Sequence, residues 1–161
     1  MPLKDGRVDF DVAKEKITTK TKMVVIQRSC GYMMRPSLSV DEIGEICKFV
    51  KEINPNCICY VDNCYGEFTD TKEPIEVGAD IIAGSLIKNP GGGIAPTGGY
   101  IVGRKDLVEL ASYRMTSPGM GAELGASLAN NRLLFQGIFL APHVVAQAVK
   151  SAIFAAAFLI Y

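Results

Sequence analysis

Four short apolar runs, each ending in a polar or glycine-rich segment, set the tightest limit on what this chain can fold into. They are the Met-Val-Val-Ile stretch within 22–27, Cys57 to Val61, Asp80 to Ala83 and Tyr100 to Val102. Runs of three to six residues rich in Val and Ile are too short for helices, and continuous rather than alternating apolarity predicts strands buried on both faces. Between the first two lies a helix signal. Ser39 with Glu42 three residues later forms a capping box, and Val40, Ile43, Cys47 and Val50 recur at helical spacing. Asn54-Pro55 predicts the helix end. The resulting order is strand, helix, strand, loop, strand, loop, strand.

After Arg104 the pattern turns helical. Helices are predicted over Lys105 to Met115 and Ala122 to Phe135, followed by a last helix with Pro142, and beside it His143, in its first turn. The apolar stretch Val144 to Tyr161 is broken by Gln147, Lys150 and Ser151. A span of a membrane needs about 20 apolar residues, so this stretch reads as a buried helix. The fold class expected is α/β, a mostly parallel sheet with flanking helices, which binds ligands beyond the carboxyl ends of its strands.

Composition narrows the partners. Seventeen basic residues balance seventeen acidic ones in 161, a formal net charge of zero, which favours neither nucleic acid nor an anionic membrane. The five cysteines, Cys30, Cys47, Cys57, Cys59 and Cys64, are odd in number and lack CxxC spacing. With no signal peptide at the start, they point to the reducing cytoplasm. No metal site is expected: Cys57 and Cys59 share a strand face near Cys64, but the spacing is not that of a zinc ribbon.

Two strand ends carry the chemistry. Cys57 to Val61 runs into Asp62-Asn63-Cys64-Tyr65, and Asp80 to Ala83 runs into Gly84-Ser85-Leu86-Ile87-Lys88-Asn89-Pro90-Gly91-Gly92-Gly93. Nucleotide motifs do not explain the glycines. A GxGxxG pattern needs glycine where Pro96 stands, and a P-loop needs glycine before the lysine and Ser or Thr after it, where Ile87 and Asn89 stand. A lysine beside glycines and prolines is ordinarily a solvated loop residue. Beside Leu86 and Ile87, however, Lys88 reads as a desolvated amine whose lowered pKa would expose the lone pair of a Schiff-base nucleophile. Asp62 reads either as a cap of the next turn or as a carboxylate aimed at a protonated ring nitrogen.

Here the residues carry a resemblance. Val61-Asp62-Asn63-Cys64-Tyr65 and Gly78 to Lys88 are similar to the ring-nitrogen and cofactor-lysine segments of the pyridoxal-phosphate (PLP) dependent Cys/Met-metabolism enzymes. The chain more closely resembles their methionine gamma-lyase or aluminium resistance branch. That likeness rests on Gln27-Arg28-Ser29, Asp62 to Phe68, Gly84 to Gly93, Thr97-Gly98-Gly99-Tyr100 and Thr116-Ser117-Pro118-Gly119. It implies the central part of a fold-type I PLP-dependent transferase large domain, with Lys88 as catalytic and cofactor-linking residue and Asp62, Ser85, Tyr65 and Arg28 as further cofactor-binding residues. Ile87 departs from the hydroxyl residue common before the lysine, and Cys30 from an expected arginine.

The resemblance also implies a partial PLP-binding domain over 1–161, lacking an N-terminal part and a C-terminal domain of the family. The activity expected of the intact family is elimination of a sulfur leaving group from an amino-acid substrate, by a homo-oligomer. Transamination, or a non-catalytic module that keeps the fold for assembly, are the other readings.

Overall fold

The computed structural model describes residues 3–115, 118–123, 125 and 130–160. The chain opens with a two-stranded antiparallel hairpin, β1 (Leu3–Lys4) and β2 (Arg7–Val8). Asp5 and Gly6 turn it with φ of 51° and 77°, as a two-residue Asp-Gly hairpin requires. Helix α1 (Phe10–Lys16) follows, capped by the Asp9 carboxylate on the Val12 N–H. Strand β3 (Met23–Gln27), helix α2 (Val40–Ile53), β4 (Ile58–Asp62), β5 (Ile81–Ser85), β6 (Gly99–Gly103), α3 (Lys105–Met115) and α4 (Asn131–Ile160) complete the elements.

The main sheet has the order β3-β4-β5-β6. The first three strands are parallel and β6 runs antiparallel to β5. In α2 the predicted capping box is present in both directions. Asn54 closes that helix and, buried, donates from Nδ2 to the carbonyls of Thr18 and Thr21. The core forms where Ile43, Ile46, Cys47 and Val50 of α2 meet Val24, Ile26, Cys59, Val61 and Ile82 of the sheet. Asp80, at the start of β5, ties the layers together: it accepts from the Cys59 N–H at 2.8 Å and pairs with Lys51 at 2.7 Å and Arg104 at 3.3 Å.

Several expectations need correction. The first strand is not buried on both faces: Met23 and Val25 are 46% and 51% exposed while Val24 and Ile26 are buried. As β3 is the edge strand and α2 covers one face, its apolar run is packed on that side alone. Residues 121–123 form a turn rather than helix, 124 and 126–129 lie outside the described residues, and only Asn131 to Phe135 of the predicted Ala122 to Phe135 helix are seen as helix, as the start of α4. Pro142 and His143 lie well inside α4, not in a first turn. The helix survives proline's missing N–H because it is seated by packing on either side of it. Gly137, Ala141 and Val145, four apart on one face, are its buried residues, against the short 3-10 turn Asn89–Gly91.

The remainder of α4 is not the buried helix foreseen. Phe154, Phe158, Leu159 and Ile160 are all more than 70% exposed, since nothing within the described residues covers them. By length and composition alone this 30-residue helix is long and apolar enough to cross a membrane.

Candidate active site

The carboxyl ends of the three parallel strands converge on the register Gln27, Asp62, Ala83. Asp62 is the last residue of β4, and its Oδ1 accepts from the Cys64 N–H at 3.2 Å. The capping role considered for it is therefore real, and it leaves the carboxylate at the mouth of the crevice. The Gly66 N–H closes a turn on the Asn63 carbonyl at 2.8 Å. This turn places Tyr65 at φ 66°, a left-handed conformation that costs a non-glycine residue about 1 kcal/mol or more. The ring so held is 61% exposed and lies under the Lys88 ammonium, 4.4 Å from Nζ to the ring centre.

Lys88 reaches this point from the other strand end. β5 stops at Ser85, whose carbonyl accepts from the Lys88 N–H, and Lys88 caps the turn Asn89–Gly91. Asn89 Nδ2 donates to the Glu67 carbonyl at 2.9 Å and so locks the lysine loop to the aspartate loop. Asp62 and Lys88 thus meet in one crevice, with Cys64 between them. Burial pulls the Lys88 amine down, but the Cys64 thiol, the Tyr65 hydroxyl and the Asp62 carboxylate outweigh it and hold the pKa above the usual lysine value. The lowered amine pKa expected from its apolar neighbours is therefore corrected. Ile87 points outward at 58% exposure and contributes little desolvation. The Cys64 thiol is pushed up by burial and by its hydrogen bond to Asp62, against the opposing pull of Lys88.

Arg28 stands apart from the other predicted residues. It is 3% exposed, donating to Asn63 Oδ1 at 2.8 Å, Glu73 Oε2 at 3.4 Å and Thr69 Oγ1 at 3.3 Å. Gly66 packs so closely on its side chain that a Cβ there would overlap it. Arg28 is a strut beneath the aspartate loop, not a group facing the crevice. Ser85 is half-buried at the strand end three residues before Lys88.

Sequence reasoning assigned no role to the layer behind Arg28. Asn63, fully buried, donates to Glu73 Oε2 at 3.0 Å and to the Tyr100 hydroxyl at 3.1 Å. Tyr100 donates in turn to Glu67 Oε1 at 2.7 Å. Gly84 makes room for that bond, since a Cβ at Gly84 would overlap both the Glu67 carboxyl and the Tyr100 ring. Asn63, Glu67 and Tyr100 sit within the motifs that carried the resemblance, so their polarity amid apolar runs was a usable signal. Glu73, in an ordinary acidic loop, gave none. Thr116 and Ser117 of the last motif lie outside the described residues.

Residues 1–160 match the family described as methionine gamma-lyase. The Bacillus subtilis uncharacterized protein YnbB is 59% identical over 156 residues, which are 97% of this chain and 37% of YnbB. A solved Listeria monocytogenes structure, tied by its description to aluminum resistance, superposes with a TM-score of 0.94 at 60% identity, over 99% of this chain and 40% of its own. The carbon-sulfur lyase involved in aluminum resistance from Clostridium novyi superposes with a TM-score of 0.86 at 50% identity, over 94% of this chain and 36% of its own. The chain thus spans about two fifths or less of each of these relatives. Its α/β architecture, with a parallel-rich sheet and flanking helices, is that of the fold-type I PLP-dependent lyases. By sequence and by fold, the chain belongs to the methionine gamma-lyase family.

Proposed function

We propose that this chain is the cofactor-holding part of a PLP-dependent carbon-sulfur lyase acting on a sulfur-containing amino acid. The observation that carries the reading is the meeting of an amine, a carboxylate and an exposed aromatic ring, Lys88, Asp62 and Tyr65, at one strand-end crevice. That donor set suits a pyridine aldehyde: an amine to condense with the carbonyl, a carboxylate to keep a ring nitrogen protonated, and a flat neighbour for the ring. Lys88 and Asp62 would hold the group, with Tyr65 beside it and Ser85 the hydroxyl nearest in sequence for its phosphate. When bound, PLP supplies the electron sink that stabilises a carbanion at the substrate α-carbon.

The chain's own residues do the rest. Lys88 would hold the cofactor, and its free Nζ would be the group placed to move a proton at the substrate α-carbon. Tyr65 and Cys64 hold that nitrogen near the reacting carbon. Asp62 keeps its negative charge in the crevice, where a fixed carboxylate costs no reorganisation during reaction. Arg28, already paired, keeps the aspartate loop in place rather than contacting cofactor. Lyase chemistry is preferred to transamination because the Clostridium novyi relative is named a carbon-sulfur lyase.

The bare apolar face of α4 is assigned to self-association, since a stretch of this kind rarely stays exposed on a soluble monomer. The direct test is to titrate the chain with PLP, follow the long-wavelength absorbance, and measure ketoacid release from cystathionine and methionine. Saturable PLP binding by the chain, with ketoacid release by a full-length relative, supports the reading. The chain alone is expected to bind PLP weakly and to release little ketoacid; amino-group transfer to a ketoacid, by the chain or by a full-length relative, overturns the lyase assignment.

A further inference from the structure

The groups that set the Lys88 amine belong to the loop opposite its own. The amine lies over the Tyr65 ring at 4.4 Å, bonds to the Cys64 thiol and feels the Asp62 carboxylate. Its approach to Asp62 therefore depends on how the lysine loop sits against the aspartate loop. A tie that does not pass through Lys88 comes from the next residue, since Asn89 Nδ2 donates to the Glu67 carbonyl at 2.9 Å. Lys88 caps the turn Asn89–Gly91, and the Gly91 N–H bonds back to the Lys88 carbonyl at 3.0 Å. Holding Asn89 thus holds the Lys88 backbone.

Glu67 can anchor Asn89 only if its own backbone is fixed. On either side of it a non-glycine residue is left-handed, Tyr65 at φ 66° and Phe68 at φ 60°. Such conformations persist only where the surroundings over-determine them, and they gather at functional sites. The surroundings here are specific. The Phe68 N–H donates to Glu73 Oε1 at 3.0 Å. The buried Glu67 carboxyl accepts the Tyr100 hydroxyl at 2.7 Å, from a strand on which Tyr100 stands in register with Gly84 of β5. The same hydroxyl accepts from Asn63 Nδ2 at 3.1 Å. Through one side chain, β6 therefore grips both the residue after Asp62 and the residue that holds Asn89.

We propose that Asn89 and Glu67 are positioning residues for Lys88, with Tyr100 as their anchor. The Asn89 carboxamide on the Glu67 carbonyl sets where the amine meets Asp62, and the Tyr100 hydroxyl on the Glu67 carboxyl keeps that carbonyl in place. These side chains act through the loops that carry Lys88 and Asp62. Their role in the reaction rests on the reading of Lys88 as the cofactor lysine, whereas their effect on the placement of the amine does not. Breaking this series of bonds frees the amine from Cys64, Tyr65 and Asp62 without removing any of those three groups.

The test uses the full chain in two measurements. Competitive labelling with trace acetic anhydride across pH, followed by peptide mapping, titrates the Lys88 amine without PLP. In the parent its pKa lies above the usual lysine value, because burial, which lowers it, is outweighed by Cys64, Tyr65 and Asp62. In Asn89→Ala it falls back towards that value, with urea unfolding at an unchanged slope. Glu67→Ala lowers it as well, and Glu67→Gln, which keeps an oxygen for the Tyr100 hydroxyl, restores it. Asn89 is only half-buried, so its variant decides the matter even if Glu67→Ala fails to fold. Borohydride trapping of PLP in the alkaline range, where the amine is free, then shows about three- to tenfold less label on Lys88 in Asn89→Ala, the worth of one neutral hydrogen bond. A Lys88 titration in Asn89→Ala identical to the parent's, with undiminished PLP label on Lys88, overturns the positioning role alone. Absence of label on Lys88 in the parent overturns the cofactor reading and the role with it.

Discussion

Replacing Gly137 by alanine separates two opposed effects whose signs the structure decides. In an isolated helix the change is favourable, because glycine is about 1 kcal/mol worse than alanine in a helix interior. In this fold Gly137 faces the turn that Lys88 caps. A Cβ there would lie 2.9 Å from the Gly91 carbonyl carbon and 3.2 Å from its Cα, and nearer still to its carbonyl oxygen. All three atoms are backbone, so no rotamer change relieves the overlap. The opposing surface is as tight: Gly92, at φ 55°, approaches the Gly137 carbonyl, and its own Cβ would sit 3.3 Å from the Ala141 nitrogen. Overpacking of this kind costs about 1–3 kcal/mol. Net of the propensity gain, Gly137→Ala should destabilise by up to about 2 kcal/mol. Urea unfolding reads this as a lower midpoint at unchanged slope, and loosening of the lysine loop should weaken PLP capture in parallel. A variant about 1 kcal/mol more stable than the parent, with unaltered capture, would refute the docking of α4 on that loop.

Further outcomes follow from the charges. Because its neighbours hold the Lys88 amine above the usual lysine value, the rate of PLP capture should climb with pH well into the alkaline range, measured by stopped-flow absorbance; a rate flat above neutrality would contradict it. Burial pulls Asp80 up, but Lys51, the Cys59 N–H and Arg104 outweigh it and hold the carboxyl below the usual range. Its folded value thus lies below the unfolded one, so its contribution is complete above the unfolded value and is lost as pH falls through the folded one. Asp80→Asn should cost about 1.5–3 kcal/mol near neutrality, the gap to the parent closing in acid in denaturant melts at several pH values. In a full-length relative, the substitution equivalent to Asp62→Asn should retain PLP by absorbance yet lower ketoacid release on the order of a hundredfold; unchanged turnover would reduce Asp62 to a turn cap.

The parts of the fold legible in the sequence are those governed by local signals. Ser39 and Glu42 announced α2 and Asn54 its end, because capping groups act within one turn of where they sit. The four apolar runs marked β3 to β6 within two residues at each end. The hairpin at Leu3 to Val8 and helix α1 went unread, although Asp5-Gly6 and the Asp9 cap were usable signs. Pro142 misled because a proline argues locally for a helix start, whereas the packing of Gly137 and Ala141 against the lysine turn comes from residues far away in sequence. The same division holds at the site. Lys88 and Asp62 stood out by type at strand ends, while the inward turn of Arg28 depends on Asn63, Glu73 and Thr69, which only the fold brings beneath it.

The central claim is that Lys88 holds the cofactor with Asp62 in the same crevice. Incubating the chain with PLP, reducing with borohydride, digesting and sequencing the labelled peptide by mass spectrometry tests it most directly. The account predicts the label on the peptide bearing Lys88, and its loss in Lys88→Ala. Label recovered mainly on another lysine, with Lys88 unmodified, would contradict it.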